Sequence, residues 1–195
     1  MLDELLLRGH RARGLVRAEG RVAWGESVET LVGDSRDKDT LAQLVGGCDA
    51  VVSALGPRGR EDRLHQDTAT ALVGAMAEAG VRRFVGVSGM NVPVPGDQRS
   101  VTNAVAARVV RALNGPLARD KRAEYETFAA SDLDWTLARP TRLVDGDETG
   151  HLEHDAHRSC RSNKVVRADL ATFLVDCLEH GWYLRQAPFV ATARR

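Results

Sequence analysis

The feature that most constrains this chain is the alternation of short, unbroken apolar runs with amphipathic stretches of ten residues or more. The middle shows it best. "CDAVVSALG" carries a continuous apolar run over 50–54, and "VRRFVGVSG" carries another over 83–88. Neither alternates polar with apolar, so both read as strands covered on two faces. Between them, "DRLHQDTATALVGAMAEAG" places Leu72, Val73, Met76 and Ala77 on one helical face and stops at Gly80. A strand, a helix of this length and a second strand make a parallel crossover unit. The rhythm recurs along the chain: a strand at 12–16, and another in "SVETLVGD" that ends at Gly33 and Asp34. A helix in "RDKDTLAQLVGG" turns Leu41, Leu44 and Val45 to one side. Helical segments follow near 101–113 and 118–131, then a strand in "LDWTLARP" stopped by Pro140. "VVRADLATFLVDCLEHG" reads as a short strand and a helix, and "APFVAT" as a last strand. The expected fold is α/β, one doubly wound and mainly parallel sheet, in a single domain over 1–195.

Composition narrows the partners. The formal net charge is +0, so no bulk field draws the chain to nucleic acid or to a membrane surface. No apolar run approaches the roughly 20 residues that span a bilayer, and the N-terminus lacks a signal-peptide layout. The three cysteines, Cys48, Cys160 and Cys177, have neither disulfide nor zinc spacing, which suggests a reducing, cytoplasmic setting. A small-molecule partner and a monomer or weak dimer are expected.

Ligands of open parallel sheets bind beyond the carboxyl ends of the strands. Those ends here are Arg17, Gly33-Asp34, Ser53-Ala54-Leu55-Gly56, Ser88-Gly89 and Arg139-Pro140. A basic residue at the first of these suits a ribose 2′-phosphate, where an acidic one would repel it. Arg17 therefore points to NADP rather than NAD, unless it is a solvated surface arginine. Asp34 can accept from an adenine amino group or cap the next helix. Residues 53–56 are small enough for close approach of a nucleotide, and equally suit a tight turn.

The segments "LLLRGHRARGLVR", "LAQLVGGCDAVVSALG", "GVRRFVGVSG", "RDKRAEYETFAASDLDWTLARP" and "VVRADLATFLVDCLE" resemble the atypical short-chain dehydrogenase/reductases. The resemblance is strongest to the NAD(P)H-binding, NmrA-like branch that includes biliverdin-IXβ and flavin reductases, and it runs from residue 2 to about 191. It implies a Rossmann-like fold and NADP(H) along the strand ends. It also implies that Arg17 contacts the 2′-phosphate, Asp34 lies near adenine, and Ser53, Ala54, Leu55 and Gly56 line the adenosine ribose. Ser88 and Lys121 match catalytic positions at the nicotinamide end; Gly89, Met90, Arg139 and Pro140 match the border of the substrate cleft. The implied activity is hydride transfer to a flat flavin-, tetrapyrrole- or quinone-like acceptor. The alternative is a non-catalytic NADP(H)-binding regulator or pseudoenzyme. Two departures matter. Gly89 stands where relatives often carry a second serine, and Leu117, four residues before Lys121, breaks the Tyr-x-x-x-Lys pattern. Tyr125 shares the helix face of Lys121 and reads as packing rather than as an acid.

The resemblance also implies a strand and a glycine-rich turn ahead of the first helix, and "MLDELLLRGH" matches only the later part of that helix. The fold is then expected to lack the usual first, central strand. The simplest reading is a start about 15–25 residues upstream; the others are a shortened, impaired product, or a sheet rearranged or completed by a partner chain. Without that turn, weak or no NADP(H) binding is expected. Its neighbours, the strands at 12–16 and 50–54, would lie roughly 9.6 Å apart or close up. The stretch from 141 to about 163 is expected to be a solvated loop. His151, His154, His157 and Cys160 recur there every third residue, a spacing that on a helix would suit a metal; as a loop it holds none. The segment "GMNVPVPGDQ" after Ser88 is the other candidate lid, with Met90 and Val92 facing a flat ring.

Overall fold

The computed structural model describes residues 1–18, 28–57, 61–98 and 115–193. The helical segment expected near 101–113 lies outside them. Period-two burial on the middle strands shows how the layers form. In β4 (Arg83–Val87), Phe84 faces one side and Val85 the other; in β5 (Asp134–Pro140), Leu137 and Ala138 divide likewise. Phe84 and Leu137 join Leu41 and Val45 of α2 (Lys38–Val45), Leu72 and Met76 of α3 (Leu64–Ala79) and Phe128 of α4 (Gly115–Ala129). Val85 and Ala138 join Leu170, Phe173, Leu174 and Cys177 of α5 (Arg167–His180) on the opposite face. Each fully buried apolar side chain stabilises by about 1.5–3 kcal/mol. Helices on both faces are the doubly wound arrangement expected from the apolar runs.

The five-stranded sheet has the order β3 (Ala50–Ser53), β4, β5, β9 (Phe189–Thr192), β7 (Leu152–Asp155). The first four strands are mutually parallel, and β7 closes the far edge antiparallel to β9, with His154 opposite Val190. Thus the supposed loop contains an edge strand, which departs from the expectation for 141–163. β6 (Arg142–Val144) and β8 (Lys164–Val166) pair separately, as do β1 (Ala12–Val16) and β2 (Val28–Val32).

Close packing dictates two local choices. Phe84 stacks on Phe128 at 4.2 Å between ring centroids. A Cβ on Gly86 would come within 2.7 Å of the Phe84 ring, so only glycine fits beside it. At the end of α3, Gly80 takes φ +71°, and Val81 donates back to Met76 O at 2.9 Å.

The strands at 12–16 and 50–54 do not close up. Among the described residues no ladder joins β1 to β3. All four residues of β3 remain half-buried, whereas Phe84, Val85 and Gly86 of the neighbouring strand are buried. Leu15 and Val51 still pack against the same core. Arg13 ties β1 to α2 by donating from Nη1 to the carbonyls of Gln43 (2.9 Å) and Gly46 (2.8 Å) at the helix end. The short α1 (Leu2–Leu7) is pinned to α5 by Arg8, which bonds Asp176 and Glu179 at 2.7 Å each. Among the described residues no helix is long and apolar enough to cross a membrane.

Candidate functional site

The parallel register brings the carboxyl ends of β1 and β2 together: Gly33 N donates to Val16 O at 2.9 Å, beside Arg17. Arg17 grips Glu61 through both terminal nitrogens, at 2.7 and 3.1 Å. Asp34 is engaged by Arg36, which donates its backbone N–H (2.8 Å) and its guanidinium to the carboxylate. Arg36 first, helped by Arg17, lowers the Asp34 carboxyl to about 2. Asp34 does not cap the following helix; Asp37 does, accepting from Thr40 N at 2.8 Å. Sequence reading missed Arg36, although an arginine two residues after a strand-end aspartate was visible in the chain. The two arginines and one aspartate form a charged rim at the carboxyl ends of β1 and β2. Gly33 is required here, since a Cβ would approach Thr40 to 2.5 Å.

Ser53 ends β3, and its Oγ accepts from Leu55 N at 3.4 Å. Ala54 and Gly56 are exposed and Leu55 is half-buried; a Cβ at Gly56 would meet open space. This turn is open to a ligand and makes no close packing of its own.

At the end of β4, Ser88 is buried and held by its backbone N–H to Ala138 O at 2.8 Å. Its hydroxyl donates to Glu124 Oε2 at 3.1 Å. Lys121 reaches the same carboxylate at 3.4 Å and donates to Val87 O at 2.9 Å. Burial lowers the Lys121 ammonium pKa against the opposing pull of Glu124 and Asp120. The fold therefore unites Ser88 and Lys121, and the group that joins them is Glu124. Asp120, also buried, accepts from the backbone N–H groups of His65 (2.9 Å) and Gln66 (2.8 Å), capping α3 across the interface. His65 is 1% exposed, and its Nδ1 lies 3.6 Å from Glu124 Oε1. Leaving a buried polar nitrogen unpaired costs about 1–3 kcal/mol. The missed signal was periodicity: Asp120, Glu124 and Phe128 fall on one stripe of α4, so two carboxylates face the core. Tyr125 packs edge-on to Trp135 at 5.8 Å, and burial raises its hydroxyl pKa, in keeping with a packing role.

A cavity of about 460 Å³ opens beside this cluster, lined by Asp62, Arg63, Gln66, Pro116, Arg119, Asp120 and Ala123. A second, of about 420 Å³, is lined by His154, Trp182, Tyr183 and Gln186, none of which belongs to the strand-end set.

Arg139 departs from its expected place. Its side chain is fully buried and donates to both carboxylate oxygens of Asp97 (2.7 and 2.8 Å), to Ala187 O and to Val92 O. It also lies 3.8 Å from the Phe189 ring centroid. It presents no guanidinium to a cleft; it anchors the loop after Ser88. Pro140 is likewise buried, in register with Val190. Val92 is buried and does not face outward, whereas Gly89 and Met90 are half-buried at the loop's start. The far end of that loop pairs with the 141–163 stretch, Gln98 N donating to His157 O at 2.9 Å. On extended β7 and the turn after it, the His/Cys series does not converge. His154 bonds Tyr183, and Cys160 Sγ donates to Glu153 O. Among the described residues, the grouped metal-type side chains are instead Asp176, Glu179 and His180, on the surface of α5.

Comparison with known proteins agrees with this fold. A family model described as NAD(P)H-binding matches residues 1–181. A solved protein of Burkholderia pseudomallei is 30% identical, covering 97% of this chain and 91% of its own, with a TM-score of 0.79. ChuY of Escherichia coli, titled an anaerobilin reductase, is 18% identical over 100% of this chain and 90% of its own, with a TM-score of 0.83. A short-chain dehydrogenase/reductase of Veillonella parvula, solved with NADP, is 19% identical over 97% and 87%, with a TM-score of 0.78. A search of curated proteins returns no match.

Proposed function

The chain belongs to the NAD(P)H-binding family matched over residues 1–181, and from that premise we propose that it is an NADPH-dependent reductase of a flat, conjugated acceptor. The observation that carries the reading is the placement of two dissimilar charged clusters at the carboxyl ends of parallel strands: Arg17, Asp34 and Arg36 at β1 and β2, and Ser88, Lys121 and Glu124 at β4. The residues present suit the two ends of NADP. Arg17 and Arg36 would exchange Glu61 and Asp34 for the 2′-phosphate, which carries more charge than either carboxylate. Ser53 to Gly56 would border the ribose. The described residues do not include a glycine-rich turn for the pyrophosphate, and α1 opens on Asp3 and Glu4, whose charge would oppose it.

When bound, the nicotinamide supplies the hydride. The chain's own part is positional. The buried Ser88 hydroxyl and the Lys121 ammonium, held by Glu124, would hold the nicotinamide end. Tyr125 packs on Trp135, so among the described residues no free phenol stands beside Lys121, and the proton would come from solvent. The polar cavity beside Asp120 has the volume of a small-molecule site and suits an acceptor with polar rim groups.

The test is absorbance at 340 nm with NADPH or NADH and FMN, a quinone or a tetrapyrrole. Sustained oxidation with NADPH preferred over NADH supports the reading. Cofactor binding without turnover would favour a nucleotide-sensing regulator; binding of neither cofactor would refute the proposal and match the weak binding expected without a glycine-rich turn.

A further inference from the structure

Among the described residues, His65 is a buried polar side chain with both of its ring nitrogens unpartnered. It is 1% exposed, it stands in the first turn of α3, and Asp120 holds its backbone N–H. Among the described residues, neither ring nitrogen has a hydrogen-bond partner. Buried imidazoles ordinarily find partners, so an unpaired one calls for a reason. The geometry offers one. Nδ1 lies 3.6 Å from Glu124 Oε1, just beyond the 2.7–3.2 Å of an N–H···O bond. The other oxygen of that carboxylate already receives the Ser88 hydroxyl and lies 3.4 Å from Lys121 Nζ. Glu124 is therefore a hub with Ser88 and Lys121 on one oxygen and His65 on the other. Among the described residues, Glu124 is faced by Lys121 from its own helix, His65 from α3 and the Ser88 hydroxyl from β4, and Asp120 acts on Lys121.

We propose that His65 is a positioning residue: its Nδ1–H closes onto Glu124 Oε1 and fixes the carboxylate so that Ser88 and Lys121 point together at the nicotinamide end. This rests on the reductase reading given above. It separates His65 from an ordinary core residue by a simple contrast. A core residue stabilises the fold by being there. Here the imidazole is unpaired at rest, so an apolar ring of similar size should be tolerated by the fold and still impair turnover.

Three variants test this. His65→Phe removes both nitrogens; its melting temperature should equal or exceed that of the wild type, while kcat for NADPH oxidation falls about tenfold and KM for NADPH stays within about twofold. His65→Asn keeps an amide donor near the Nδ1 position and should recover most of the lost kcat. Unchanged kcat in His65→Phe overturns the proposal, as does an equal loss in His65→Asn. Should the phenylalanine variant fail to fold, a wild-type kcat in His65→Asn supports the proposal and a tenfold loss overturns it. A readout that needs no turnover separates this inference from the reductase reading. In protein labelled with ¹⁵N-histidine, added NADP+ should move the His65 Nδ1 signal toward that of a hydrogen-bonded donor, and this shift should be lost in Glu124→Gln. Identical His65 signals in both proteins overturn the pairing, even if the wild type oxidises NADPH. A shift in a wild type that turns over nothing retains the pairing and rejects the reductase.

Discussion

Removing the charge of Asp97 should destabilise the chain more than its place in a loop suggests. Arg139 is fully buried, and the Asp97 side chain is 10% exposed. Two nearly equal bonds, 2.7 and 2.8 Å, join them in a bidentate pair. In Asp97→Asn the shape survives, but an arginine that cannot deprotonate is left without its counter-charge. Breaking a buried pair from one side costs about 3–5 kcal/mol. Arg139 would keep the carbonyls of Ala187 and Val92 and the ring of Phe189, which places the expected loss near the lower bound, about 3 kcal/mol. For a chain of this size each kcal/mol lowers the melting temperature by about 2–4 °C, so a fall of about 6–12 °C is expected. Urea unfolding at pH 7 would show the same loss as a lower midpoint at constant slope. Arg139→Lys keeps the charge and loses the fork, and should also destabilise. The decisive control is the double variant Asp97→Asn, Arg139→Met. If the cost is that of an orphaned charge, the double variant should be more stable than Asp97→Asn alone. A single-variant loss below about 1 kcal/mol would refute the reasoning, because that is what an exposed ion pair contributes. So would a double variant less stable than either single one.

Other expectations follow from the same kind of reading. Burial pushes the Asp169 carboxyl up, but bonds from Thr192, Thr149 and Gly150 outweigh it, and its pKa is lowered on balance. Its stabilisation is therefore present above the unfolded value, about 3.9, and is lost as pH falls through the folded pKa. Urea midpoints measured from pH 6 downward should fall more steeply for the wild type than for Asp169→Asn, and parallel curves would contradict this. Burial pushes the Cys160 and Cys177 thiols up to about 12, while Cys48 is only half-buried. A thiol reagent at pH 8 should titrate one group per native chain and three in denaturant; rapid reaction of two or more native thiols would count against the packing. Arg17→Ala should raise KM for NADPH about ten- to a hundredfold, matching the loss of a charge-assisted bond of about 1.5–3 kcal/mol, and leave NADH little changed. Equal effects on both cofactors would remove Arg17 from the 2′-phosphate site.

What the sequence disclosed, and what it hid, divides along the range of the interactions. The strands at 12–16 and 83–88, and the helix closed by Gly80, were legible because burial on a regular element leaves a period in the chain itself. β7 was not. Its "LEHD" alternates Leu152 and His154 against Glu153 and Asp155, but histidine scores as polar, and here the half-buried His154 ring packs among Phe173, Trp182 and Tyr183. Arg139 was misplaced for a related reason. Its position at a strand end suggested a cleft, yet what decides its role is Asp97, 42 residues away, in a loop with no period to read. Glu124 falls between these cases. Its helical stripe with Phe128 was written in the sequence, and only the prior that carboxylates face water argued against it. A charged residue on an apolar stripe is therefore worth more attention than one at a strand end. To be buried there it must meet donors, as Glu124 meets Ser88 of β4 and Lys121 one turn back on its own helix. Groups gathered in that way are held in fixed geometry, which is the condition a catalytic site has to meet.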